Sequence, residues 1–122
     1  MLVPRARLDD VAADLLDRLG TCKVGDPRTE GVTMGPVTTA AQLRSVRGGI
    51  DRLVAAGARV LTGGSAPVDG LGAPAGKGYF VAPTLLVADD AAARAAVHAH
   101  EVFGPVSTLI PYDDAAEALA LV

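Results

Sequence analysis

The chain has 122 residues, with 11 Lys and Arg against 14 Asp and Glu, a net charge of −3 and a sequence pI near 5.2. That balance excludes the strongly basic footprint of a nucleic-acid-binding domain. Half of the residues are hydrophobic and the mean hydropathy is +0.35, so the composition supports a core and excludes disorder. Aromatic residues make up only 3% and Trp is absent, so alanine carries much of the apolar count and each residue buries little area.

Length fits one domain at most, large enough to bury roughly two-thirds of its unfolded surface. The single cysteine, Cys22, excludes an internal disulfide. No apolar run approaches the roughly 18 residues that cross a bilayer. The start, Met1-Leu2-Val3-Pro4-Arg5, reaches proline and charge too soon for a signal peptide. A cytoplasmic protein with no membrane and no nucleic-acid partner is expected.

In chain order, Leu8, Val11, Ala12, Leu15, Leu16 and Leu19 form one helical stripe, with Asp9, Asp10, Asp14, Asp17 and Arg18 facing away. Asp9 or Asp10 is the expected cap and Gly20 the stop. A Gly- and Pro-punctuated loop runs from Val24-Gly25-Asp26-Pro27 to Met34-Gly35-Pro36. The second helix starts at Thr38 or Thr39, where Thr39 and Gln42 have capping-box spacing, and turns Leu43, Val46, Ile50, Leu53, Val54 and Gly57 to one face. Gly48 and Gly49 in its middle each cost about 1 kcal/mol relative to Ala and point to close packing against a neighbour.

Arg59-Val60-Leu61 reads as a short strand ending at Gly63-Gly64, and residues 65–78 as a surface loop. Tyr79 to Val87 is a strand candidate that Pro83 either confines to an edge or divides. Asp89 or Asp90 caps an alanine-rich helix towards His98. Val106 to Ile110 is an apolar strand closed by Pro111, and Asp113 or Asp114 caps a last helix with Ala118, Leu119 and Val122. Helices alternating with short strands predict an α/β arrangement, a short, open, mostly parallel sheet with flanking helices. The last helix stops after about two turns with no Gly, Asn or basic residue to close it, so the chain is expected to be a piece of a longer one.

Three constellations could carry chemistry. Cys22 with His98 and His100 could form a nucleophile pair, but Cys22 follows a helix C-terminus, where the dipole disfavours a thiolate. His98-Ala99-His100-Glu101 suggests a metal cluster, yet residues two apart on a helix diverge and no second ligand group exists, so no metal site is expected. The third is Glu101-Val102-Phe103-Gly104-Pro105, at a helix-to-strand junction. A carboxylate there can accept hydrogen bonds from a vicinal diol such as a ribose, and Phe103 can pack on a flat ring. Taken by itself, the segment reads more simply as a capping Glu and a core Phe.

Four motifs in order resemble the aldehyde dehydrogenase superfamily. Val24-Gly25-Asp26-Pro27 with Met34-Gly35-Pro36 resembles its V-G-D-P…M-G-P segment, and Ala56-Gly57-Ala58 leading to Thr62-Gly63-Gly64 its G-A…G-G turn. Gly78-Tyr79-Phe80-Val81 with Pro83-Thr84 resembles its G-Y-F-x-x-P-T strand, and Glu101 to Pro105 its E-[IV]-F-G-P motif. The resemblance implies oxidation of an aldehyde with NAD or NADP through a thiohemiacetal and then a thioester on a cysteine. It also implies that Glu101 holds the nicotinamide ribose and that Phe103 supports the nicotinamide end. The family's G-Q-x-C-like nucleophile segment and general-base glutamate have no counterpart here, so residues 1–122 would be a partial catalytic domain beginning just after the nucleophile, without the Rossmann portion or the C-terminal part. Cys22 stands where the family has an aliphatic residue, and catalytic residues in this chain are expected to be none.

The run from Ala96-Val97-His98 through Phe103-Gly104-Pro105-Val106-Ser107-Thr108-Leu109-Ile110-Pro111-Tyr112 resembles one branch, the dehydrogenase portion of the bifunctional ring-opening proteins of phenylacetate degradation. These join an oxepin-CoA hydrolase to an NADP-dependent semialdehyde dehydrogenase, which favours NADP within that branch. The implied partners are a small-molecule aldehyde and further copies in a homo-oligomer. The contrasting expectation is a non-catalytic interaction or structural module of the same fold, whose open sheet edge and apolar helix faces bind another chain.

Overall fold

A computed structural model describes all 122 residues. The elements are β1 (Leu2–Pro4), α1 (Leu8–Gly20), α2 (Ala40–Ala55), β2 (Arg59–Thr62), β3 (Thr84–Val87), α3 (Ala91–Ala99), β4 (Val106–Tyr112) and α4 (Ala115–Ala120). The strands form one sheet in the order β1-β4-β3-β2, with β4 parallel to both neighbours and β2 antiparallel to β3. The expected open, mostly parallel α/β sheet is what forms.

Alternation along the strands divides the core into two faces. Val3, Leu85, Val87 and Leu109 point to one side, where the α1 stripe Leu8, Val11, Ala12, Leu15, Leu16 and Leu19 covers them. Leu86 and Ile110 point to the other, where they meet Leu53 of α2, Ala93, Ala96 and Val97 of α3, and Leu121. Val46 and Ile50 of α2 continue that layer over Val81 and Val106. Helices on both faces bury the two parallel pairings, as such sheets require.

Four local expectations are corrected. Neither Asp9 nor Asp10 caps α1: a 3-10 turn over Arg5–Arg7 leads into it, Arg7 occupies the cap without a side-chain bond to the helix backbone, and both aspartates lie in the first turn, where they face the positive end of the dipole. Only Thr84–Val87 of the Tyr79–Val87 run is strand. Phe80 and Val81 are buried in the approach to it, so the apolar run reflects a buried loop, and Pro83 divides it rather than placing it at an edge. Pro111 does not close β4, which continues to Tyr112. Leu109 faces β3, where its carbonyl accepts from the Ala88 N–H, and Ile110 faces β1, donating to the Met1 carbonyl. Pro111 therefore turns its nitrogen towards the β3 side, beyond the last pairing, and its missing N–H leaves no ladder bond unmade. Of the two mid-helix glycines, Gly49 is in tight contact and Gly48 is not.

The remaining caps fall where expected. Thr39 accepts from the Gln42 N–H, Asp90 from the Ala93 N–H and Asp114 from the Glu117 N–H. The Gln42 side chain reaches back one residue further than a standard box, accepting from the Thr38 N–H at 3.0 Å. Arg5, just past β1, donates to Asp89 and Asp113, each at 2.7 Å, and so ties together the segments that follow β1, β3 and β4.

Candidate functional site

The turn between α3 and β4 lies at the end of the sheet where the parallel strands begin. His100 leaves the helix with extended dihedrals (φ −131°, ψ 106°), its N–H still donating to the Ala96 carbonyl at 3.0 Å. Gly104 and Pro105 then turn the chain into β4, and the Pro105 carbonyl accepts from the Thr84 N–H at 2.8 Å, fixing the far end of the turn to β3.

Within this turn the side chains divide cleanly. Val102 is half-buried against α2 and joins both apolar clusters on that face. Glu101 and Phe103, on either side of it, are exposed, Phe103 at 72%. Glu101 makes no hydrogen bond or ion pair within the chain. Within residues 1–122, Glu101 thus caps no helix and Phe103 lies outside the core, unlike the simpler sequence reading. An unpaired carboxylate beside an uncovered aromatic ring is a set of groups suited to a polyhydroxylated ligand with a flat ring, so the residues present fit a nicotinamide ribose.

A cleft of about 280 Å³ opens beside the turn, walled by Leu53, Val97, Val102 and Val106, with His100, Glu101 and Thr108 as polar groups. Phe103 is not on its wall. The two residues singled out from the sequence thus share a turn but not a cavity surface. Sequence reasoning assigned Gln42 to capping alone. Its Nε2 also donates to the Phe103 carbonyl at 3.4 Å, so the same side chain joins the start of α2 to the turn. Only the capping-box spacing hinted at it.

The other constellations do not assemble. Cys22 follows α1 on one face of the sheet, whereas His98 and His100 end α3 on the other, so no Cys–His pair forms. No group of three His, Cys, Asp or Glu side chains is placed to hold a metal ion. No helix is long and apolar enough to cross a membrane. In the Val24-Gly25-Asp26-Pro27 loop, the Arg28 side chain and backbone N–H both bond Asp26, and the side-chain bond is the larger reason that its carboxyl is held down to about 2. This is loop structure: Gly25 pairs with Leu71, and a Cβ there would lie 2.7 Å from the Leu71 nitrogen.

The fold is a three-layer α/β unit with an exposed Glu-x-Phe turn entering its central parallel strand. Comparison with known proteins makes this specific: the model of the aldehyde dehydrogenase family matches residues 1–122. The chain belongs to the aldehyde dehydrogenase family. It is 40% identical over 119 residues to a 3,4-dehydroadipyl-CoA semialdehyde dehydrogenase of Aromatoleum evansii, covering 98% of this chain and 22% of that protein. Among solved structures it superposes with a TM-score of 0.81 at 36% identity on an aldehyde dehydrogenase C mutant of Pseudomonas syringae in complex with NAD+ and octanal, covering 99% of this chain and 24% of that one. An NADP-dependent enzyme of E. coli gives a TM-score of 0.81 at 32% identity, covering 98% of this chain and 23% of that one. The chain therefore spans about a quarter of the length of the relatives it matches.

Proposed function

We propose that residues 1–122 are part of the catalytic domain of an NAD(P)-dependent aldehyde dehydrogenase, in which Glu101 accepts hydrogen bonds from the nicotinamide ribose hydroxyls and Phe103 packs at the nicotinamide end. The observation that carries this reading is the pairing of an unpartnered, exposed carboxylate with a 72%-exposed phenylalanine on one turn of a chain of this family. When bound, a nicotinamide supplies the hydride acceptor that aldehyde oxidation needs. The turn's own contribution is binding and orientation: two acceptor oxygens on Glu101 can bridge a vicinal diol, and a flat ring set against Phe103 loses rotational freedom. The attacking cysteine, which passes through a thiohemiacetal and a thioester, and the base that activates water are both supplied from outside residues 1–122 in this reading. Cys22, across the sheet from Glu101, takes no part.

The 40%-identical relative, named for a CoA-linked semialdehyde, and the Ala96–Tyr112 run both support a semialdehyde carried on CoA as substrate. They are consistent with the phenylacetate-degradation branch and with NADP as the preferred cofactor. The same reading makes the enzyme a cytoplasmic homo-oligomer. Measuring reduction of NAD+ and of NADP+ by the protein carrying this chain, with a CoA-linked semialdehyde and with octanal, tests it. Turnover with the former, faster with NADP+, is expected. No reduction of either cofactor with either substrate overturns it in favour of a non-catalytic module.

A further inference from the structure

The turn that presents Glu101 and Phe103 has almost no polar anchorage between its two ends. Its backbone bonds are local, Gly104 N–H to the Val102 carbonyl at 2.9 Å and Val106 N–H to the Gly104 carbonyl at 2.8 Å, and Gln42 adds one long contact. What fixes its distance from the core is packing against α2. Gly49 is buried in the middle of that helix, and a Cβ on it would lie 2.8 Å from Val102 Cγ2 and 3.1 Å from Cγ1. The contact is matched in the other direction, since a Cβ on Gly104 would lie 2.6 Å from Val46 Cγ2. Each chain segment thus offers a glycine to the other's valine.

We propose that Gly49 is a positioning residue for the nicotinamide site: the notch it leaves in α2 seats Val102, and the seating of Val102 sets where Glu101 and Phe103 stand. This rests on the reading of Glu101 and Phe103 given above. Both Val102 methyls face the glycine, and a β-branched side chain has little χ1 freedom to escape. A methyl group at 49 therefore drives residues 101–103 outward by about 0.7 Å, the distance needed to restore a carbon–carbon separation of roughly 3.5 Å. Because Val102 lies between the two site residues, one displacement moves both. A glycine in mid-helix lowers helix stability relative to alanine, so its presence at 49 is explained by the space it leaves and not by helix formation.

The test uses the full-length protein that carries this chain, with NAD+ and NADP+ titrated by calorimetry and melting temperature recorded on the same preparations. Gly49→Ala is expected to raise the cofactor Kd by about three- to tenfold, in line with the steep dependence of site function on sub-ångström placement. Gly49→Ala/Val102→Ala removes both clashing methyls and leaves Val102's Cβ position 3.5 Å away, so it is expected to recover most of that loss. Val102→Ile, which enlarges the same contact from the other side, should weaken binding in the same direction and serves if Gly49→Ala does not fold. Unchanged cofactor Kd in Gly49→Ala, or no recovery in the double variant, overturns the inference while Glu101→Gln still weakens binding. Unchanged Kd in Glu101→Gln overturns the site reading itself, and the inference with it.

Discussion

Replacing Glu101 by Gln separates a ligand contact from a structural one unusually well. The carboxylate is exposed and bonds to nothing in the chain, so the substitution removes no internal hydrogen bond, and melting temperature should not move beyond the half kcal/mol or so typical of surface changes. Shape is kept and one amide oxygen still accepts, while the charge assistance to the ribose hydroxyls is lost. That difference is roughly 1–2 kcal/mol. At about 1.4 kcal/mol per decade it corresponds to a five- to thirtyfold rise in cofactor Kd. Since the proposed ribose contact would also orient the ring, kcat should fall as well as affinity. Phe103→Ala is expected to act in the same direction, by loosening the ring. Calorimetric Kd, steady-state kinetics and a melting curve on one preparation decide it. A Glu101→Gln protein that binds and turns over like wild type, at unchanged stability, refutes the assignment.

Three further outcomes follow from the same structure. Cys22→Ser should leave kcat/KM for aldehyde unchanged, because Cys22 lies on the α1 face and Glu101 on the other. A loss of activity that tracks the missing thiol would require a different nucleophile arrangement. Leu86→Ala, at a position with 0% exposure between the sheet and α2 and α3, should cost about 2–5 kcal/mol by urea denaturation; a loss under about 1 kcal/mol would mean that this layer repacks freely. The Asp26 carboxyl, held at about 2 by Arg28, should titrate there by NMR and return towards its usual 3.8 in Arg28→Ala. Its folded value lies below its unfolded one, so its stabilising contribution is complete above the unfolded value and is lost as pH falls through about 2.

Local chemistry was legible where a short stretch of sequence decides the outcome. The α1 stripe, the Thr39, Asp90 and Asp114 caps and the Gly63-Gly64 stop all depend on residues within a turn or two of each other. Apart from the α1 cap, which the adjoining Arg5–Arg7 turn displaced, the errors depended on a distant segment. Phe80 and Val81 are apolar because a loop packs them into the core, and apolar content alone does not distinguish that from a strand. Pro111 is tolerated inside β4 only because β3 ends opposite Leu109, a matter of register between segments some 20 residues apart. The insertion of β4 between β1 and β3 has no local signature at all. Glu101 and Phe103 were singled out through their motif, and the structure places both exposed on one turn. The seating of Val102 on Gly49 was visible only as a pair of mid-helix glycines that pointed to close packing without naming the neighbour.

That division bears on how the turn can do its work. β4 has parallel neighbours on both sides, and the bond from Thr84 N–H to the Pro105 carbonyl fixes the turn's exit before the strand begins. A binding residue placed just before such a strand gains the strand's rigidity without being buried in it. The entrance is held by the last bond of α3, through the His100 N–H. Between these two bonded ends, Val102 packs against α2 at Gly49, and Gly104 packs against Val46. In the proposed site, secondary structure would hold the turn at its two ends and the notch at Gly49 would set its distance from α2, which is the contact a single methyl group can change.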